Sequence, residues 1–166
     1  MAIWQYGFLV IPKESITENY NCIFKNNQTK YLPKTESFWT NSNLDISKIA
    51  TEIDKFVERA DWSNENYYAW KGNNDNEDND GHISLDNVTN KITEFYFRVD
   101  LRVKSNIENF LYGLVKICAQ NELIILNLKG EILEPKIEII IENLKKSNAV
   151  SFLKNPNEHI KNLAEE

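Results

Sequence analysis

Four carboxylates lie close together in the segment KGNNDNEDNDG, which covers residues 71–81. They are Asp75, Glu77, Asp78 and Asp80, and we call residues 75–80 the acidic loop. Carboxylate and amide oxygens are the ligands that Ca²⁺ prefers in proteins. Part of the loop matches an EF-hand calcium loop, with Asn76, Asp78 and Asp80 at the first three ligand positions and Gly81 at the turn.

The match to a calcium loop fails at its last position. Asn87 stands where a bidentate glutamate should close the site, and the flanking segments have the pattern of strands, not of two helices. Three interpretations of the acidic loop stay open: a small-molecule or calcium site within residues 75–86, a patch that faces a protein partner, and a solvated hairpin loop. The solvated loop is preferred, and no metal site is assigned.

A second group of charged residues lies in the segment ITEFYFRVDLRV, residues 92–103, whose apolar and polar residues alternate as in a long strand. One parity holds Glu94, Tyr96, Arg98, Asp100 and Arg102. Charges of alternating sign are common on a wet sheet face, where each pair contributes tenths of a kcal/mol up to about 1. This face also holds two of the chain's three arginines, and arginine is favoured at interfaces. It is either a self-compensating surface or a recognition surface.

Aromatic residues precede the acidic loop, namely Trp62, Tyr67, Tyr68 and Trp70. Large aromatic side chains mostly fill core space, and that role is preferred here, above all for Trp70. The alternative is that the group anchors an interface, where tryptophan and tyrosine contribute much of the binding energy.

Patterns typical of catalysis are missing from the sequence, which contains no nucleophile elbow, P-loop, dinucleotide fingerprint or zinc-protease motif. The two cysteines and two histidines are too widely spaced to suggest a zinc site. Cys118 falls on the apolar stripe of a predicted helix, so packing is its expected role. The chain is therefore predicted not to be an enzyme and to need no cofactor.

Composition indicates one globular domain over residues 1–166, with 42% hydrophobic and 27% charged residues. The net charge of −6 argues against binding to duplex nucleic acid and is compatible with a basic protein partner. The sequence lacks a signal-peptide pattern and an apolar run long enough to span a membrane, so a cytoplasmic protein without a membrane partner is expected.

The periodicity of apolar residues predicts the elements that position these groups. Strands are expected over residues 3–11, 67–70, 83–88, 92–103, 123–128 and 132–133, with further short strands at 21–24 and 29–32. Helices are expected over 45–60, capped by Asp45, over 106–120, capped by Ser105, after Pro135, and over 148–153 and 159–163. The order predicts an α+β fold, a mostly antiparallel sheet with helices packed mainly on one face. The helix over 106–120 permits one parallel crossover.

Several features occur in a fixed order over about the last two-thirds of the chain. A W-x(7)-W segment from Trp62 to Trp70 precedes the acidic loop, an FRVDLR strand leads into a capped helix, and SNAVSFLKNP follows near the C-terminus. A small acidic chain with these features resembles the immunity-type proteins of bacterial polymorphic and contact-dependent toxin systems. The resemblance implies a non-enzymatic protein that binds and blocks a cognate toxin through a charged surface.

The sequence therefore predicts a protein-binding domain, an immunity protein that occludes the active site of a basic toxin domain. The alternative is a small-molecule or calcium-binding domain that uses the acidic loop. The residues expected to contact the partner are Asp75, Glu77, Asp78, Asp80, Tyr96, Arg98, Asp100 and Arg102.

Overall fold

The structure, a computed structural model, describes residues 4–16, 35–72, 77–102 and 107–156. Within these ranges six strands form one sheet in the order β2-β3-β4-β1-β5-β6, and every neighbouring pair is antiparallel. The strands are β1 Gln5–Pro12, β2 Tyr67–Lys71, β3 Asp80–Leu85, β4 Ile92–Asp100, β5 Leu123–Asn127 and β6 Ile132–Leu133.

Strand β1 lies in the middle of the sheet, between β4 and β5. Seven of its eight residues are buried, as its two apolar faces predict. Because β4 and β5 both run antiparallel to β1, they run parallel to each other with β1 between them. The helix that connects β4 to β5 is therefore the expected parallel crossover.

Four α-helices are described: α1 Ile46–Ile53, α2 Tyr112–Gln120, α3 Ile137–Lys145 and α4 Asn148–Lys154. A π-helical turn, Ile107–Leu111, leads into α2, and 3₁₀ turns cover Lys13–Ser15 and Glu36–Trp39. Helices α1, α2 and α3 bury their apolar stripes in the cluster that contains Phe8, Phe95 and Phe97 of the sheet. The α+β fold, with helices mainly on one face of an antiparallel sheet, is confirmed.

Helix α1 is shorter than predicted, since it ends at Ile53 and not at Ala60. Its N-cap is confirmed, because the Asp45 carboxylate accepts a hydrogen bond from the Lys48 amide. Beyond Ile53 the backbone joins the sheet: the Ala60 amide donates to Ala69 O of β2, and the Lys71 amide donates to Glu58 O. The apolar spacing of residues 56–60 fits a helix and an extended edge equally well, and pairing with β2 decides between them.

The acidic loop was expected to be solvated, and the structure corrects this for its last residues. Strand β3 already begins at Asp80, and both Asn79 and Asp80 are buried. Strand β4 ends at Asp100, three residues before the predicted end at residue 103.

Some predictions fall outside the described residues. They are the strands at 21–24 and 29–32, the cap at Ser105, the helix at 159–163, and the positions of Asp75 and Asn76. Among the helices of the described ranges, none combines the length and the apolar character that crossing a membrane requires.

Candidate functional site

Polar side chains gather on the half of the sheet formed by β2, β3 and β4, on the face opposite helices α1, α2 and α3. Alternation along each strand places them there, and we call this surface the polar face. Its described members are Tyr67, Lys71, Asp80, His82, Glu94, Tyr96, Arg98 and Asp100. Helix α3 does not cover it, because Ile140 and Leu144 of that helix belong to the apolar cluster on the other side.

The strand register brings charges of opposite sign side by side. Lys71 of β2 lies opposite Asp80 of β3, which lies opposite Arg98 of β4, which lies opposite Gly7 of β1. Cross-strand neighbours on one face are close enough to form ion pairs. The charges predicted on β4 therefore have charged neighbours on β2 and β3, and we call this set of cross-strand ion pairs the charged array.

Arg98 and Asp80 form the central pair of this array. Arg98 Nε donates to Asp80 Oδ1 at 2.7 Å, and Nη2 donates to Asp80 Oδ2, so the contact is bidentate. The Asp80 side chain is 12% exposed and that of Arg98 is 29% exposed. The hydrogen bonds to Asp80 raise the pKa of Arg98 above its usual value. The guanidinium is thus permanently charged and fixed in orientation.

A second bidentate pair joins Arg102 to Asp100, whose side chain is fully buried. Arg102 Nε and Nη2 donate to the carboxylate at 3.0 and 2.7 Å, and the guanidinium lies 4.8 Å from the ring centre of Trp4. Burial alone would raise the pKa of Asp100. The hydrogen bonds from Arg102 and from the Asp78 amide outweigh burial, and the pKa is lowered.

The described part of the acidic loop is attached to this array. The amide of Asp78 donates to Asp100 Oδ2 at 3.0 Å, and its carbonyl accepts from Gln5 Nε2 at 2.6 Å. Asn79 Oδ1 accepts from the Asp100 amide, and Lys71 Nζ donates to the Asp78 carboxylate. The carboxylates that the calcium hypothesis requires, Asp78 and Asp80, are therefore paired with Lys71 and Arg98. Over the described ranges, no group of three or more histidine, cysteine or acidic residues is placed to share a metal.

Aromatic rings continue the polar face beside the charged array. The imidazole of His82 lies 5.1 Å from the Tyr67 ring in a stacked arrangement and 5.6 Å from the Tyr96 ring. His82 Nε2 is 2.6 Å from Glu94 Oε1, so the hydrogen bond to Glu94 fixes the orientation of the imidazole. Burial raises the pKa of Tyr96 to about 12 and also raises that of Tyr67, so both phenols stay protonated at neutral pH.

A cleft of about 450 Å³ opens where the aromatic and charged parts meet. The side chains that line it include Trp62, Tyr67, Lys71, Asp80, His82, Tyr96 and Arg98. Trp62 is 58% exposed, whereas Trp70 is 1% exposed and belongs to the core. The prediction of a core role is thus confirmed for Trp70 and wrong for Trp62.

The structure brings together most of the residues predicted to contact a partner. Asp78, Asp80, Arg98, Asp100 and Arg102 form one network, in which Lys71 connects Asp78 to Asp80, and Tyr96 lies on the same face two residues before Arg98 on β4. Glu77 is described beside this network, where its carboxylate accepts from Asn79 Nδ2, while Asp75 lies outside the described residues.

Sequence reasoning missed Lys71 and His82. Neither belongs to a motif, and each joins the polar face only through the pairing of β2 with β3 and of β3 with β4. The one signal available was parity, since residues 80, 82 and 84 alternate with Gly81 and Ile83.

Comparisons with known protein families, with curated proteins and with solved structures found no match. A functional interpretation of this chain consequently depends on the geometry of the polar face and on the sequence. The resemblance to immunity-type proteins stays a prediction.

Proposed function

We propose that this chain is a non-enzymatic protein-binding domain of the immunity type. In this proposal the polar face and its cleft cover the active site of a toxin domain in the cytoplasm and so block it. The observation that carries the proposal is Trp62, which is 58% exposed at the cleft on the sheet face opposite helices α1, α2 and α3.

An exposed tryptophan beside polar groups has the character of an interface anchor. Interface hot spots are enriched in tryptophan, tyrosine and arginine, and Trp62, Tyr67 and Arg98 line the same cleft. Burying such a ring on binding contributes more than burying an isolated surface residue, because neighbouring contacts exclude water from it.

The electrostatics favour fast and specific association. The net charge of −6 attracts a basic partner over a long range, whereas the charges on the polar face are already paired with one another. Because Asp80 and Asp100 hold both guanidinium groups in place, little side-chain entropy is lost when a partner docks. The net negative charge of the chain thus favours encounter with a basic partner, and the fixed charges of the polar face favour a partner whose surface matches them.

The proposal is tested with the product of the neighbouring gene, co-expressed with this chain and purified through it. Trp62→Ala should weaken the complex by about 30-fold or more, as for an interface hot spot of about 2 kcal/mol. Tyr112→Ala is the matched control, since Tyr112 is 45% exposed but lies on helix α2, away from the polar face. Its affinity should match that of the wild type.

Two results together would contradict the proposal. One is that the neighbouring product does not bind. The other is that cells expressing this product remain unharmed when the gene for the present chain is deleted.

A further inference from the structure

The guanidinium of Arg98 has hydrogen-bonding capacity beyond its pair with Asp80. A guanidinium carries five N–H groups, and the bidentate contact with Asp80 engages Nε and Nη2. The opposite edge, formed by Nη1 and the second N–H of Nη2, has no hydrogen-bond partner among the described residues. Arg98 lines the cleft and its side chain is 29% exposed, and the edge turned away from Asp80, called the outward edge below, is the one that an incoming group would meet.

The charged groups around that edge are paired with one another and leave N–H donors of Arg98 unused. Lys71 also lines the cleft, with its Nζ 4.0 Å from Asp80 Oδ2, so two cations accompany one lining carboxylate. Asp78 pairs with Lys71, and Glu94 pairs with His82, so the nearby carboxylates are already engaged with side chains of the cleft. The outward edge of Arg98 is therefore the charged donor available to a ligand.

Flat apolar surface adjoins the donor. Trp62 and Tyr67 line the same cleft, and the phenol of Tyr67 stays protonated because burial raises its pKa. A ligand that fits both features has a carboxylate at one end and an apolar portion beside it. Aspartate and glutamate side chains on a protein surface offer this combination, together with their apolar neighbours.

We propose that the cleft binds an acidic side chain of the partner protein, whose carboxylate forms a bidentate contact with the outward edge of Arg98 while Trp62 packs against the adjoining apolar group. This inference rests on the proposed function, because it specifies what a protein partner presents at the same surface. It is compatible with a partner of basic net charge. One carboxylate within a basic surface can bind the Arg98 guanidinium, while the net charge of −6 on this chain still attracts the partner as a whole.

Two small probes test the site without the partner. Phenylacetate carries a ring and a carboxylate, and phenylacetamide is its neutral counterpart. The indole N–H signal of Trp62 in an NMR spectrum, assigned with Trp62→Phe, should shift saturably with phenylacetate. With phenylacetamide the affinity should be lower by about tenfold or more, as expected when a charge-assisted bidentate contact is lost.

Two lysine variants isolate the fork of Arg98. Arg98→Lys keeps the charge but cannot bridge two carboxylates, so phenylacetate binding should fall to the level of phenylacetamide. Arg59→Lys removes the same fork from the bidentate pair with Asp54, which does not line the cleft, and binding should be unchanged. A thermal unfolding curve for each variant establishes that it is folded.

The outcomes separate this inference from the proposed function. Equal affinity for the two probes, no saturable shift, or equal losses in both lysine variants would overturn the acidic-ligand inference, even if the neighbouring product binds through Trp62. A response to phenylacetate that is lost only in Arg98→Lys would support the inference, even if the neighbouring product does not bind.

Discussion

The phenol of Tyr96 lies directly over the backbone of Gly7 on the neighbouring strand. A Cβ atom built on Gly7 would come within 2.2 Å of Tyr96 Oη and 2.9 Å of Cζ. Tyr96 is 7% exposed and also belongs to the second apolar cluster, with Leu9 and Phe38. Because position 7 has no side chain, the Tyr96 ring can lie over it and contact both the second apolar cluster and His82 of the polar face.

Gly7→Ala should destabilise the protein by about 1–3 kcal/mol, because the tyrosine ring is held on several sides and cannot move aside without disturbing its neighbours. Urea unfolding measures the loss. The control is the same substitution in a Tyr96→Ala background, where the ring that the methyl group would meet is gone and the loss of stability should be much smaller. Equal costs in the two backgrounds would show that the ring does not occupy the position described.

Asp100→Asn should reduce the loss of the free energy of unfolding that acid pH causes. The pKa of Asp100 lies below its usual value of 3.8, so its charged form stabilises the folded state above that pH. This contribution is lost as the pH falls through the folded-state pKa. The measurement is urea unfolding from about pH 5 to about pH 2, where the variant, already less stable at neutral pH, should lose less than the wild type. Parallel curves would contradict the assignment.

Cys118 should be unreactive in the folded protein. It is fully buried in the apolar cluster, and burial raises the pKa of its thiol to about 12, so the thiolate that attacks a reagent is scarce. In a Cys22→Ser variant, Ellman's reagent should modify the remaining thiol only after denaturant is added. Rapid modification under native conditions would show that helix α2 exposes this side chain.

Asp54→Ala should lower the free energy of unfolding by about 1–3 kcal/mol, because it leaves the buried indole N–H of Trp70 without a hydrogen-bond partner. Trp70 is 1% exposed, and its Nε1 donates to Asp54 Oδ1 at 2.8 Å. The same carboxylate accepts from Arg59 Nε and Nη2 at 2.8 and 2.9 Å. Arg59→Ala serves as the control: it removes the exposed ion pair and leaves the indole hydrogen bond in place, so it should cost less. Thermal unfolding distinguishes the two variants.

Much of the fold could be predicted from alternation and turn residues. Strand β1 is apolar on both faces and is indeed buried at the centre of the sheet, and the stripe of α2 ends near Asn121 as expected. The helix over 45–60 was overextended because position 54 has no local signal for termination. The carboxylate of Asp54 accepts hydrogen bonds from Arg59 and Trp70. Trp70 reaches Asp54 only when β2 has joined the sheet, so the sequence around position 54 does not reveal this contact.

The candidate site was harder to predict, because its contacts depend on strand register. Asp80 and Arg98 are 18 residues apart, and nothing local to either residue indicates that they lie opposite each other. Acidic composition suggested a solvated loop, yet a cross-strand arginine stabilises the buried carboxylate of Asp80. Trp62 and Trp70 belong to the same aromatic segment of the sequence. Trp70 lies within β2 and faces the core, whereas Trp62 follows the residues that pair with the edge of β2 and is exposed.

The two borders of the sheet also bear on self-association. In the part of the chain that the structure describes, the outer side of β2 is hydrogen-bonded to residues 58–60, and at the other border β6 has only two residues. Long unpaired borders allow chains to stack into fibrils, and natural proteins shorten or cover them to prevent it. This protein uses both devices, one at each end. A concentrated solution of it should consequently resist cross-β aggregation, although the central strands are strongly apolar.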